Sequence, residues 1–306
     1  MRAVLLLAHG TPNTLGEMAE YLGKVTGGRA LPQSVVEELQ HRYAEIGLGE
    51  TPGAEPPPLT KWTLKQAGLL RAALQMPVYV GMRNWHPYIA DTVAQMKADG
   101  VSSARVICLA PQTSRTSIGL YKKALLDAAG DAFAIDFVEG WAAQPRLIAA
   151  FADRLKTAWA NACREAGHEL PVLFTAHSVP LRTVEGDAPD PYAVEAKRTA
   201  ELVAAQLPEI EKHLFAFQSQ GVAGGPWIGP TVEETLSTLK QQGQSGVVIQ
   251  PIGFVCDHVE VLYDIDVAFQ KTARKLGLRL WRAESLNDSP LLTEALVSLA
   301  NAALAK

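Results

Sequence analysis

Three cysteines in 306 residues, Cys108, Cys163 and Cys256, are too few and too far apart for a disulfide framework. None forms a CxxC pair, which excludes a structural zinc knuckle or a four-cysteine iron–sulfur cluster supplied by this chain alone. A reducing cytoplasm suits such a chain. Basic excess is also missing: 28 Lys and Arg stand against 32 Asp and Glu, a formal charge of −4, so a nucleic-acid partner is not expected. Long apolar runs are absent. The first, from Met1 to Ala8, stops at His9-Gly10, short of a secretory signal, and no later run reaches the length of a membrane span. The expectation is a soluble, unprocessed protein. Phosphate-binding and nucleophile-elbow signatures are missing as well. Gly10 and Gly16 do not form GxGxxG, no GxxxxGK[ST] occurs, and neither AHSVP nor FQSQG is GxSxG.

What is present is rhythm. Short apolar or β-branched runs at 3–8, 78–81, 105–110 and 133–138 are followed by four more at 172–176, 213–218, 246–250 and 278–282. Between them, segments such as 64–74, 89–98, 146–166, 191–206 and 232–241 repeat apolar residues at three and four, the helical period. Alternation of this kind builds parallel βαβ units. The expected fold is therefore α/β, with two Rossmann-like domains, each a four-stranded parallel sheet flanked by helices. The expected boundaries are 1–145 and 146–287, with a C-terminal helix within 288–306 packing back on the first domain. The Gly- and Pro-rich stretch 47–58 reads as a long rim or lid loop, or a plain surface excursion.

The pattern Ala-His-small-x-Pro closes a strand once in each half, as LLLAHGTP with His9 and as VLFTAHSVP with His177. Ligands of open α/β sheets bind beyond the carboxyl ends of the strands. The residues placed there are His9, Arg83, Gln112, Glu139, His177, Gln218 to Gln220, the 255–260 segment and Glu284. Beyond the seventh strand, Asp257, His258, Glu260, Asp264 and Asp266 crowd into ten residues. A helix starting near Asp257 would put Glu260 and Asp264 one turn apart on one face. Asp257 there could simply complement a helix dipole, whereas Glu260 between Val259 and Val261 suits a proton acceptor beside an apolar wall. An imidazole and a carboxylate facing one cleft can bind a transition metal or take two protons from one substrate. A histidine after a strand can equally be a hydrogen-bonded structural residue.

Taken together and in order, LLLAHGTP, RYAEIG, VICLAPQTSRTSIGLY, FTAHSVP, DPYAVEAKRTAELV, FAFQSQGVAGGPWIGP, PIGFVCDHVEVLYDID and RAESLNDSP resemble the ferrochelatases, which insert ferrous iron into a porphyrin. The resemblance covers nearly the whole chain. It implies that His177 binds metal and accepts protons with Glu260 as its partner acid. It also implies substrate contacts from Arg42, Tyr43, Thr51, Arg83 and Tyr121. His9 stands where the coproporphyrin-using branch has an axial Tyr ligand, so it becomes a candidate ligand to the product iron. The same histidine resembles the cobalt-inserting chelatases of corrin synthesis. An upstream basic position falls on Thr26, an outer acidic position falls on Ala268, and the rim motif is broken by an insertion around 53–58. Trp85, Trp227 and Tyr263 are candidates for apolar walls or core. The implied activity is a lyase of haem biosynthesis using coproporphyrin III, with protoporphyrin IX and cobalt insertion as alternatives. Its partners would be the porphyrin and ferrous iron as substrates, with no permanently bound cofactor and no iron–sulfur cluster, and it would act as a cytoplasmic monomer.

Overall fold

The structure, a computed structural model, describes residues 1–185, 187–221 and 225–302. Eight strands are present among them: β1 (Arg2–Ala8), β2 (Val78–Met82), β3 (Ser103–Cys108), β4 (Ala134–Val138), β5 (Val172–His177), β6 (His213–Gln218), β7 (Gly246–Pro251) and β8 (Arg279–Arg282). They form two four-stranded parallel sheets in the orders β2-β1-β3-β4 and β6-β5-β7-β8. In each order the chain leaves the first strand on one side and returns on the other. The crevice at that switch opens beyond the ends of β1 and β3 in one sheet and of β5 and β7 in the other.

Both faces of each sheet are covered, which is why the strands are continuous apolar runs. Along β1, Val4, Leu6 and Ala8 point into one core, and Ala3, Leu5 and Leu7 into another, as the two-residue strand period dictates. The core under Val4 and Leu6 continues into the second half through Phe151 and Leu155 to Val172, Phe174 and Val248. Each large apolar side chain buried here contributes about 1.5–3 kcal/mol. The outer faces have separate cores, around Val93 and Leu125 in the first half and around Leu236 and Ile265 in the second.

The helix Pro145–Ala166 joins the halves. Its start is set by proline in the first turn and by the Gln144 side chain accepting from the backbone N–H groups of Arg146 and Leu147, and it ends at Gly167 with φ +78°. The helix Pro290–Asn301 adds Leu292 and Leu296 to the shared core, and its final carbonyls accept from Arg2 and Arg105 of the first sheet.

Three local features differ from the periodicity. β3 ends at Cys108 instead of running to Ala110, because the chain turns toward Pro111. The helix expected over 64–74 starts at Pro58, since prolines suit a first turn. Beyond β7 no regular helix starts at Asp257. Because His258 is extended at φ −161°, a short helix starts only at Val259, and this helix, Val259–Leu262, passes into a π-helical turn, Asp264–Phe269.

Candidate active site

A cavity of about 990 Å³ lies between the two halves, at the upper end of the range for small-molecule sites. The end of β5 and the segments after β1, β3 and β7 all reach it, with His177, His9, Gln112 and Glu260 respectively among its lining residues. Gly10 makes the first of these loops possible. Its φ is +88°, and a Cβ there would sit 2.7 Å from the backbone nitrogen of Trp85.

His177 and Glu260 meet in the cleft, with Nε2 3.5 Å from Oε1. The backbone carbonyl of Ser178 accepts from His177 Nδ1, so that nitrogen carries a proton and, in the neutral ring, the lone pair lies on Nε2, which faces the carboxylate. His258 repeats the device. Its Nδ1 donates to the Cys256 carbonyl at 3.1 Å, and its Nε2 lies 3.9 Å from Glu260 Oε2. Burial lowers the His258 pKa, favouring the neutral ring. Two imidazole lone pairs and one carboxylate therefore converge, and Glu260 Oε2 is buried without a hydrogen bond. Acceptors grouped without a donor between them are a place for protons or a cation. Among the described residues, however, no cluster of three or more His, Cys, Asp or Glu is drawn together as a complete metal cage.

The neighbouring acids separate by partner. Asp264 accepts from the Ser219 hydroxyl, faces Arg42 at 3.8 Å, and is pushed up to about 6, chiefly by burial. Asp257 and Asp266 turn away to Arg282. Asp266 binds it through two oxygens at 2.7 and 2.9 Å, and Asp257 lies 3.4 Å from it. Gln218, buried at the end of β6, donates to the Glu260 carbonyl at 2.8 Å and holds its backbone.

His9 is a cleft residue with every nitrogen engaged. Nδ1 donates to the Gly10 carbonyl at 3.1 Å and has Tyr21 Oη at 3.2 Å, while Nε2 lies 3.0 Å from the Asn84 amide nitrogen. Burial lowers its pKa to about 4, so the ring is neutral near pH 7.

The other residues singled out from the sequence divide. Tyr43, Thr51, Arg83 and Tyr121 line the cavity. Arg83 lies over the Tyr121 ring at 5.6 Å, with its Nε buried and without a hydrogen bond. Arg42 does not line the cavity. It pairs with Glu38 at 2.6 Å and lies over the Tyr263 ring at 5.4 Å. Thr26 caps its own helix, donating to Leu22 and Arg29 carbonyls, and Ala268 sits in the π-helical turn. Trp227 lines the cavity, its ring 6.5 Å from that of His177, whereas Trp85 is packed in a small core with Tyr21 and Tyr43. Glu139 and Glu284 pair with Lys122 and Arg154 and do not line the cavity. Sequence reasoning gave no role to His258, to Asn84 beside His9, or to Tyr192, which also lines the cavity. The first lay in the acidic cluster already noted, so its strand-end position was the available signal. The other two had none.

No helix among the described residues is long and apolar enough to cross a membrane. The sirohydrochlorin chelatase SirB from Bacillus subtilis subspecies spizizenii, solved with cobalt, shares the fold with a TM-score of 0.56 at 12% identity over 98% of this chain and 93% of that one. A ferrochelatase of Acidobacterium capsulatum is 55% identical over 99% of this chain and 94% of its own length. A coproporphyrin III ferrochelatase of Geobacillus thermodenitrificans is 33% identical over 99% and 96%. The ferrochelatase family model matches residues 1–304, so the converging histidines and carboxylate lie within one continuous match. With agreement over that length, the chain belongs to the ferrochelatase family.

Proposed function

We propose that this ferrochelatase inserts ferrous iron into coproporphyrin III to give coproheme. The observation that carries the choice of porphyrin is the spread of neutral donors around the cavity: Thr51 on the rim loop, Ser114, Thr116 and Ser117 on the loop after β3, and Tyr121 beside Arg83. Four propionates require donors in several directions, and hydroxyls supply them without a large fixed charge. The coproporphyrin III enzyme of Geobacillus thermodenitrificans, similar along its whole length, supports the same reading.

Insertion must remove two pyrrole protons and replace them with a partly desolvated cation. In the proposed mechanism the macrocycle occupies the cleft between the halves, with Trp227 as one wall. His177 Nε2 and the Glu260 carboxylate then accept the protons, since both acceptors face one point and the His177 tautomer leaves Nε2 free to take one. His258 stands behind Glu260 as a further acceptor. Arg83, with an unpaired Nε, suits a propionate. The enzyme is expected to act as a cytoplasmic monomer without a permanently bound cofactor.

Protoporphyrin IX is the second reading, favoured by one observation: Arg83 is the only Lys or Arg among the described residues lining the cavity, and Pro52, Ala54 and Pro56 to Pro58 make its rim apolar. An anaerobic assay of ferrous iron with each porphyrin separates the two. Incorporation at least ten-fold faster with coproporphyrin III is expected, and the reverse preference would overturn the proposal. Cobalt as competing metal in the same assay tests the third possibility, to which His9 points.

A further inference from the structure

Four consecutive residues of the loop after β3, in the first half, are each bonded to the second half. The Gln112 side chain donates to the Ile252 carbonyl at 3.0 Å and to Thr199 Oγ1 at 3.3 Å. The Thr113 backbone N–H donates to a Glu195 carboxylate oxygen at 2.6 Å, and that of Arg115 donates to Asp190 Oδ2 at 2.8 Å. Between them the Ser114 hydroxyl lies 3.4 Å from the same Asp190 oxygen. The contact is reciprocal, since the Arg115 guanidinium donates to the Ala188 carbonyl of the second half at 2.5 Å.

Asp190 is the pivot of this junction. Only 4% of it is exposed, and each of its oxygens accepts from a backbone N–H. Oδ1 accepts from Tyr192 at 3.1 Å, at the start of the helix Tyr192–Ala204, and Oδ2 accepts from Arg115 across the junction. A carboxylate can do both because it carries no donor, whereas an amide of the same shape would set its own N–H groups against one of the two. What Asp190 fixes continues into the cavity lining. The Ser114 hydroxyl lies 3.1 Å from that of Thr116, and the Ser114 carbonyl accepts from Gly119 N–H at 3.0 Å, in the first turn of the helix Ile118–Ala129. Ser114, Thr116, Ser117 and Tyr121 of that helix line the cavity, and Asp190 does not.

We propose that Asp190 is a positioning residue for porphyrin binding: from the second half, it holds the hydroxyl-bearing loop of the first half where Thr116 and Ser117 meet the carboxylates of the porphyrin. This rests on the proposed function, which brings those carboxylates to the loop. Hydroxyls bind a carboxylate well only when their backbone is already fixed, because otherwise binding must also order the loop. His177 and Glu260 pair without help from this junction. Loss of Asp190 therefore weakens the grip on the porphyrin and spares the proton acceptors.

The test measures binding of iron-free coproporphyrin III to the full chain by quenching of porphyrin fluorescence, so that its readout does not depend on turnover. Asp190→Ala is expected to raise Kd about ten-fold, and Asp190→Asn nearly as much, which a role for side-chain shape alone would not produce. In steady-state insertion the KM for the porphyrin should rise in step, with kcat within about two-fold of wild type. In a Thr116→Val/Ser117→Ala background, adding Asp190→Ala should change Kd by less than about two-fold, since the groups it positions are gone. Should Asp190→Ala fold poorly, Glu195→Ala removes the neighbouring grip on Thr113 and should raise Kd at least about three-fold by the same route. Wild-type affinity in these variants, a loss confined to kcat, or the full effect of Asp190→Ala surviving in the Thr116→Val/Ser117→Ala background would overturn the inference. Failure of the wild type to insert iron into either porphyrin would instead overturn the proposed function, and the two results are read in separate assays.

Discussion

Glu260 turns one carboxylate oxygen toward His177 at 3.5 Å and leaves the other buried without a hydrogen bond, so the pair has acceptor capacity that the protein itself does not use. Most buried polar groups are satisfied, and one left unsatisfied at a cleft between two halves has a chemical explanation when the substrate arrives with protons to lose.

The first prediction concerns that pair. His177→Ala and Glu260→Gln should each lower iron insertion by about 10²- to 10⁴-fold, the usual contribution of a positioned acid or base. The melting temperature should change little, because both side chains are about one-third exposed. Turnover within a few-fold of wild type in His177→Ala would remove its proposed role.

Asp264 predicts a pH effect. Its pKa is raised from 3.8 to about 6, first by burial, so the folded protein keeps a proton that the unfolded chain has already lost. Stability should therefore fall as pH rises from about 4 to 6, and the full cost of about 2–3 kcal/mol should persist above that. Asp264→Asn should remove this dependence and melt higher than wild type at pH 8. Thermal melts of both proteins from pH 4 to 8 would check it, and parallel curves would refute it.

Arg282 clamps the segment that carries Glu260, since Asp257 precedes Glu260, Asp266 follows it, and both bind the one guanidinium. Arg282→Met should leave two partly buried carboxylates without their cation and cost about 1–3 kcal/mol, less than a fully buried pair because Asp266 keeps some solvent. The loss of turnover should appear in kcat more than in KM. Denaturant melts and steady-state kinetics measure the two effects separately.

Gly10 allows the His9 loop to pass against Trp85. Gly10→Ala combines an unfavourable φ with a Cβ at 2.7 Å from a backbone nitrogen, so it should destabilise by more than about 1 kcal/mol. It should also disturb the His9–Asn84 contact, visible as changed spectra of added haem. An unaltered melt would mean that the loop can shift freely.

Much of this molecule was legible as sequence because its signals are local. The eight strands show as apolar runs, since a parallel sheet covered on both faces has no polar side to interrupt them. The post-strand positions of His9, His177 and Glu260 follow from the same rhythm. The separation of the acids after β7 did not show. Regular helical geometry would put Glu260 and Asp264 on one face, but the extended His258 and the π-helical turn assign Asp264 to Ser219 and Arg42, and Asp257 and Asp266 to Arg282.

The sequence by itself determined the α/β alternation, the residues beyond each strand end and the family resemblance, all of which depend on neighbours along the chain. The tertiary structure alone decided which acceptors converge, because His177 ends β5 and Glu260 lies on the short helix after β7, and their meeting depends on the order β6-β5-β7-β8. It also decided that the two Ala-His motifs are unequal. Each imidazole has its proton fixed by the next residue's carbonyl, a local effect, but Nε2 of His177 faces a carboxylate whereas Nε2 of His9 meets an amide brought alongside by β2.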